Sequence, residues 1–283
     1  MRGLKGYGGR ILRIDLSRTS YRFEELPEGL ARSFIGGRGL NAYRLYWEVP
    51  PGVDPLGPEN KLMIATGPLA GLPHGLGSRL NVTARSPLTG LLGDSNAGTH
   101  FSDEMRYAGI DQIVLEGRSD RPVYLYITDS WVEFRDAEGL VGMTVSQAHE
   151  AIRREIGDPR VQVAAVGPAA EHLVKFAGLF FGVYRAAGRT GMGAVLASKR
   201  VKAIAIRGDG YVEAARPEEL IRVFEEITLR IYSNPQYWPR RVMGTSRILM
   251  SGQRLGFLPG RHFQEPTVDY AYFVSGERLS QRY

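Results

Sequence analysis

Over roughly the first 208 residues, apolar and polar positions alternate in short runs broken by Gly, Pro and Asp, a pattern that predicts strands. The clearest are GRILRIDLS (9–17), SRLNVTARS (78–86), GIDQIVLEG (109–117), RPVYLYITD (121–129), WVEFRDA (131–137), RVQVAAVG (160–167), LVKFAGLFFGV (173–183) and RVKAIAIRG (200–208). Helical spacing falls between them, at Pro27 to Phe34, Gly39 to Val49, Thr99 to Tyr107 and Val145 to Ile156. The last is the most regular, because Val145, Ala148, Ile152 and Ile156 share one face with charges opposite. The Pro-rich stretch Glu48 to Asn60 reads as a surface connection, since strand patterning resumes at Leu62.

After Gly208 the texture changes. Pro217 to Tyr232 opens on Pro-Glu-Glu, a favourable first turn, and sets Leu220, Val223, Phe224, Ile227 and Ile231 on one side. Helical spacing recurs around Val242 to Leu255, and another short helix begins at Ser275. The expected organisation is therefore an α+β domain over residues 1–210, followed over 211–283 by the start of a helical domain.

The chain also resembles itself. LMIATGPL (62–69) and VQVAAVGPA (161–169) each read as a strand ending in Gly-Pro. Asn96-Ala97-Gly98 and Ala186-Ala187-Gly188 each introduce a short helix and then a strand, with 19 residues from Gly98 to Gly117 and 20 from Gly188 to Gly208. Landmarks repeated in the same order predict a duplicated, β-rich unit whose halves are related by a pseudo-twofold axis, with the two glycine turns equivalent.

With 283 residues, 43% of them hydrophobic, the chain can bury a full core. The balance of 36 basic against 30 acidic residues, spread along the chain, suits a phosphate-bearing partner better than nucleic acid. With no cysteine, disulfides, thiolate metal sites and cysteine nucleophiles are excluded within these residues. The start, MRGLKGYGGRILRIDLS, runs straight into alternation with no apolar leader core, and no apolar run is long enough for a membrane helix. The expectation is a soluble, cytoplasmic protein that binds neither membrane nor nucleic acid.

Chemistry concentrates at YRAAGRTGMG (184–193). One reading is a tight strand-to-helix turn with solvated arginines. Another is a nucleotide loop. No Walker A pattern follows the glycines, and a Rossmann fingerprint would place Leu196 where the third glycine belongs and Asp209 beyond a glycine instead of on the strand end. A third reading joins both turns: Arg79, Arg185 and Arg189 donate charge-assisted hydrogen bonds to an elongated anion, main-chain N–H groups at Gly98 and Gly188 approach its phosphates, and Asn96 offers a side-chain oxygen or carbonyl to a bridging cation.

The motifs GPL..G......SR.NV...SPLTG (67–90), SNAG (95–98), YAG.D.IV.EG (107–117), GPA.E.LVKFA (167–177) and RAAGR.G.GAV..SK..KAI (185–204), with LP.R.FQE (258–265) and SGE (275–277) further on, stand in one order. In that order the chain resembles the tungsten-containing aldehyde:ferredoxin oxidoreductases from about Gly6 onward. The resemblance implies an N-terminal α+β domain of two related halves, forming a saddle for a bis-pterin cofactor, followed by helical domains. Tungsten, or molybdenum in some relatives, is bound there by dithiolene sulfurs of the two pterins, and Mg²⁺ bridges their phosphates. By motif position Arg79, Asn96, Gly98, Arg185, Ala186 and Gly188 match cofactor contacts, and the carbonyls of Asn96 and Ala186 match those on magnesium; Arg189 joins them on charge.

The implied parent activity is oxidation of an aldehyde to a carboxylate, with electrons leaving through a [4Fe-4S] cluster to ferredoxin, in an enzyme that often dimerises. In the family, the segment after SGE leads to a Cys-x-x-Cys-x-x-x-Cys cluster motif, and the proton-handling residues near tungsten belong to the later helical domains. No such cysteines occur here, so no catalytic residue is assigned. The expectation is a fragment, a split subunit with a missing C-terminal partner, or a degenerate relative; the competing class is a non-catalytic pterin carrier.

Remaining candidates read as structural. The histidines at 74, 100, 149, 172 and 262 show no ligand spacing, although His74 and His100 lie near the glycine turns. Gly36-Gly37-Arg38-Gly39 reads as a loop joining two helices in preference to an anion turn. Arg240 to Arg254 reads as a solvated helix face, and Ser198-Lys199 has no neighbouring base to make it a nucleophile.

Overall fold

A computed structural model describes residues 4–72 and 77–283, so the expectation for His74 lies outside the described residues. A hairpin of β1 (Arg10–Asp15) and β2 (Ser20–Glu25) leads to helices α1 (Glu28–Phe34) and α2 (Gly37–Glu48). Strands β3 (Leu62–Thr66), β4 (Arg79–Arg85) and β5 (Leu92–Gly98), helix α3 (Phe101–Tyr107) and strand β6 (Ile110–Glu116) follow. A second series begins with the hairpin β7 (Val123–Ile127) and β8 (Val132–Asp136), then α4 (Val145–Ile156), β9 (Gln162–Ala165), α5 (Pro168–Glu171), β10 (Leu179–Phe181), β11 (Arg185–Ala187), α6 (Met192–Ser198) and β12 (Val201–Ile206). Helices α7 (Pro217–Tyr232), α8 (Tyr237–Met243), α9 (Leu249–Leu255) and α10 (Gly276–Arg282) come last.

The strands build two six-stranded sheets, ordered β2-β1-β6-β3-β4-β5 and β8-β7-β12-β9-β10-β11. Each position in the second sheet is held by the strand six further along the chain. Pairing sense agrees too: β1–β6 and β7–β12 are parallel, each with a register shift at its start, and the other pairs are antiparallel. The central strands β3 and β12 are buried along their whole length, which explains their unbroken apolar runs.

Both sheets face one core. Leu12, Ile14, Leu62 and Ile113 from the first meet Leu125, Val166, Ile204 and Ile206 from the second, with α3 and α6 contributing Phe101 and Val195. Phe101 meets Phe181 edge to face, ring centres 5.2 Å apart, so the halves share an interior instead of each completing its own. The outer faces are covered separately. Helices α1 and α2 lay Ala31, Leu40 and Leu45 over Ile11, Met63 and Val114, while α4 lays Ala148 and Ile152 over Val163, Ala165 and Ala203. Local chemistry accounts for α4: Thr144 and Gln147 form a reciprocal capping box, and Gly157 ends the helix at φ 74°.

The chain divides into compact units at Ala215/Arg216. Among the described residues no helix is long and apolar enough to cross a membrane. Three strands depart from the sequence reading. SYRFEE forms β2, with only Tyr21 and Phe23 alternating with polar residues, and LGDSNAG forms β5 and RAA forms β11 without apolar alternation; LVKFAGLFFGV contributes only Leu179–Phe181. These are outer or next-to-outer strands, where backbone pairing and close approach decide the conformation more than buried side chains do.

Candidate functional site

The outer strands β5 and β11 lie side by side and join the two sheets along a seam. Arg189 N–H donates to Ser95 Oγ at 3.1 Å, and Ser86 Oγ donates to the Thr190 carbonyl at 2.8 Å. A Cβ on Gly93 would stand 2.6 Å from Met192 Cε, the movable end of its side chain, and 3.0 Å from the Ala84 carbonyl oxygen, so β5 is closely packed where α6 begins. These contacts run antiparallel, Ser95 with Arg189 and Gly93 with Met192.

On β5 the buried residues are the small Gly93, Ser95 and Ala97, while Asn96 and Gly98 face outward. Register places Arg79 opposite Gly98 and Asn81 opposite Asn96. Arg79, Arg185 and Arg189 are exposed, and among the described residues none of their guanidiniums has a hydrogen-bond or ion-pair partner. That separates them from Arg13, Arg44, Arg106 and Arg207, each matched to a carboxylate. Three uncompensated cations beside one seam repel one another unless an anion joins them.

The glycines divide into two kinds. A Cβ on Gly193 would fall 2.1 Å from the Gly178 carbonyl oxygen, and one on Gly191, at φ 78°, 2.0 Å from the Lys175 carbonyl oxygen. Both glycines are demanded by packing, which removes the basis of the dinucleotide reading. Asp209 likewise pairs with Arg207 at 2.7 Å. Gly98 and Gly188 differ: the nearest atom to an added Cβ is 3.8 Å away at each, an ordinary van der Waals contact, so packing does not demand glycine there.

Beneath Asn96 lies a buried polar hub. Asn81 Nδ2 donates to Asn96 Oδ1 at 3.2 Å and to Asp94, while Asn81 Oδ1 accepts from Asn41 Nδ2 at 2.9 Å and Thr83 Oγ1 at 2.7 Å. The side-chain oxygen of Asn96 is thus engaged, and its amide nitrogen is the free end. A groove of about 330 Å³ opens here, lined by Gly37, Arg38, Gly67, Arg79, Asn81 and Asn96 among others. Of the expected loop Gly36–Gly39, only Gly36 lies between the helices, because Gly37, Arg38 and Gly39 open α2; Gly36, Gly37 and Arg38 also line the groove, which the sequence reading passed over. The outward-facing series Arg79, Asn81 on β4 and Asp94, Asn96 on β5 was the signal that would have found the hub. His100, two residues past Gly98, is exposed and holds Asp103 Oδ2 through Nδ1 at 3.0 Å. Among the described residues no cluster of three or more His, Asp or Glu is poised for a metal.

Two sheets of one strand order, meeting along a seam beside unpaired guanidiniums and glycines, define an α+β scaffold. The family model for the aldehyde ferredoxin oxidoreductase N-terminal domain matches residues 11–208, and the chain belongs to that family. It is 42% identical over 281 residues to the tungsten-containing aldehyde ferredoxin oxidoreductases of Pyrococcus furiosus and Thermococcus kodakarensis, covering 98% of this chain and 46% of each relative. The chain therefore spans about half the length of the curated relatives it matches. It is also 34% identical, over 77% of its length and 37% of the relative's, to the WOR-like subunit of an aliphatic sulfonate oxidoreductase of Pyrococcus furiosus. Among solved structures it resembles the active site complex BamBC of benzoyl coenzyme A reductase in complex with 1,5-dienoyl-CoA. That likeness has a TM-score of 0.78 and 38% identity, covering 81% of this chain and 35% of that one.

Proposed function

We propose that residues 1–210 bind a tungsten bis-pterin cofactor through its phosphates, as the cofactor-holding part of an aldehyde:ferredoxin oxidoreductase-like enzyme, and that 211–283 begin its helical region. The observation that carries this reading is the trio of unpaired guanidiniums, Arg79, Arg185 and Arg189, beside Gly98 and Gly188, where no Cβ closes the approach. Tungsten is the metal of the similar enzymes from Pyrococcus furiosus and Thermococcus kodakarensis.

Identical strand order with an offset of six supports descent of the two sheets from one duplicated unit, with a pseudo-twofold axis through the seam. On that reading Asn96 and Ala186 are equivalent, as are Gly98 and Gly188, and each half receives one pterin phosphate. Main-chain carbonyls of Asn96 and Ala186 would hold Mg²⁺, a role left to the Asn96 backbone because its Oδ1 already accepts from Asn81. Arg79 and Arg185 neutralise the phosphates from opposite halves, and Arg189 adds charge at the end of β11.

When bound, the metal and its dithiolenes supply the redox chemistry; these residues anchor and orient the group. Electrons would leave through a [4Fe-4S] cluster to ferredoxin, with cluster ligands from outside these cysteine-free residues. The test is tungsten content by mass spectrometry in full-length protein from its native host. Arg79→Gln and Arg185→Gln are each expected to lower retained tungsten about tenfold through loss of a charge-assisted contact. Undiminished tungsten in the double variant would overturn the assignment.

A further inference from the structure

The groove at the first-half end of the seam carries a cation that the reading above does not use. Arg38 lines it together with Arg79 and Asn96, and Asp94 holds Arg38 there, with Nη2 to Oδ2 at 2.7 Å. The other oxygen of Asp94 accepts from Asn81, so the carboxylate is fixed from the buried side, and Asn81 is itself tied to Asn41 and Thr83. This chain of contacts aims the guanidinium: Asp94 occupies one terminal nitrogen, and the other N–H groups have no described partner. The backbone is committed as well. A Cβ on Gly36 would lie 2.7 Å from the Thr66 carbonyl oxygen, and Gly37 has φ 48°, so the turn that delivers Arg38 sits tight against β3.

The corresponding approach in the second half, the loop entering α4, is built in the opposite sense. Glu171 accepts from Gly142 N–H at 2.9 Å, and buried Lys202 donates to the Met143 carbonyl at 2.8 Å and pairs with Glu171. The cavity of about 400 Å³ beside them is lined also by Val141, Val166 and Arg200, whose guanidinium donates to the Asp120 carbonyl. The first sheet presents an arginine to the groove of Arg79 and Asn96; in the second half Lys202 and Glu171 form a closed pair.

We propose that Arg38 is a further anion-binding residue, positioned by Asp94, which makes the first-half end of the seam grip a phosphate-bearing ligand more firmly than the second. The proposal rests on the seam being a phosphate site. Arg38 reaches the ligand directly, and Asp94 and Asn81 act through it as positioning residues. An ion pair with Asp94 lowers the local charge but holds a long, flexible side chain in one place, so less ordering is lost when the anion arrives.

The test is calorimetric titration of the full-length, cofactor-depleted protein with pyrophosphate in the presence of Mg²⁺, with thermal melting of each variant as the control for folding. Arg38→Gln is expected to weaken binding about threefold to tenfold without lowering the melting temperature, and Arg38→Lys to recover part of that loss. Asp94→Asn is expected to weaken binding by a smaller factor, about twofold, by freeing the guanidinium rather than removing it. Equal binding by Arg38→Gln and the unaltered protein, while Arg79→Gln is weakened, would overturn the role of Arg38 and leave the seam intact. No binding at all, or binding untouched by Arg79→Gln and Arg185→Gln, would overturn the seam itself.

Discussion

At the scale of single residues, the sharpest contrast lies between glycines that packing demands and glycines it tolerates. Gly193 sits where a methyl group would strike the Gly178 carbonyl, so Gly193→Ala is expected to destabilise the protein by about 1–3 kcal/mol, measured by urea unfolding. Gly188 lies outside the left-handed region and an added Cβ would meet its nearest atom at 3.8 Å, so Gly188→Ala should change stability by less than about 0.5 kcal/mol while reducing tungsten retention. Equal destabilisation by the two variants would show that Gly188 is structural. Lys199 is the other telling residue. It is fully buried, and its ammonium donates to the carbonyls of Asn60, Gly117 at 2.9 Å and Pro58 at 3.3 Å; burial pushes its pKa down to about 8. It pins the Pro-rich connection to the end of β6, and Lys199→Met should cost about 1–3 kcal/mol by leaving those carbonyls unmatched.

Secondary-structure elements carry the next level of argument. Helix α2 rides on sheet one above a polar network that runs from Asn81 through Asn41 and Gln112 to Arg44, which meets Glu48 at 2.6 Å. Glu48 also receives Arg13 and Lys61, each at 2.8 Å. Burial alone would raise the Glu48 pKa, but hydrogen bonds from Arg13, Lys61 and Arg44 outweigh it and bring it down to about 2. The folded value lies below the unfolded one, so the stabilisation is fully present above pH 4.5 and is lost as pH falls toward 2. Acid unfolding should therefore steepen in that window, and Glu48→Gln should flatten it while lowering stability at neutral pH by about 1–3 kcal/mol. An unchanged acid profile in the variant would contradict this account. Helix α4 was legible in advance because its cap, apolar face and terminating glycine are neighbours in sequence. Strands β5 and β11 were not: LGDSNAG and RAA have no apolar alternation, and their small residues serve the approach of one sheet edge to the other.

For the whole molecule, the distribution of the core decides what folds alone. Nearly every buried apolar side chain lies before Ala215; beyond it, among the described residues, the buried hydrophobic side chains are Phe224 and Ala271. Large apolar residues such as Ile221, Leu229, Trp238, Leu255 and Phe273 are exposed there. Residues 1–215 produced alone should unfold cooperatively, whereas 216–283 alone should show no cooperative transition and should bind hydrophobic dyes. Cooperative unfolding of the shorter piece would show that it holds a core of its own.

What the sequence determined by itself is local or ordinal: helix caps, alternating strands, the order of family motifs and the arginines and glycines inside them. Each depends on neighbours a few residues away or on resemblance read along the chain. The tertiary structure alone decided which glycines packing demands and which it does not, which arginines lack partners, and that Arg38 reaches the groove of Arg79 and Asn96. Those outcomes depend on Ser95 meeting Arg189 and Gly193 meeting Gly178, contacts made when two sheets close on a shared core. Hydrophobic burial drives that closure and has no direction along the chain, so no local pattern could state where the seam would fall.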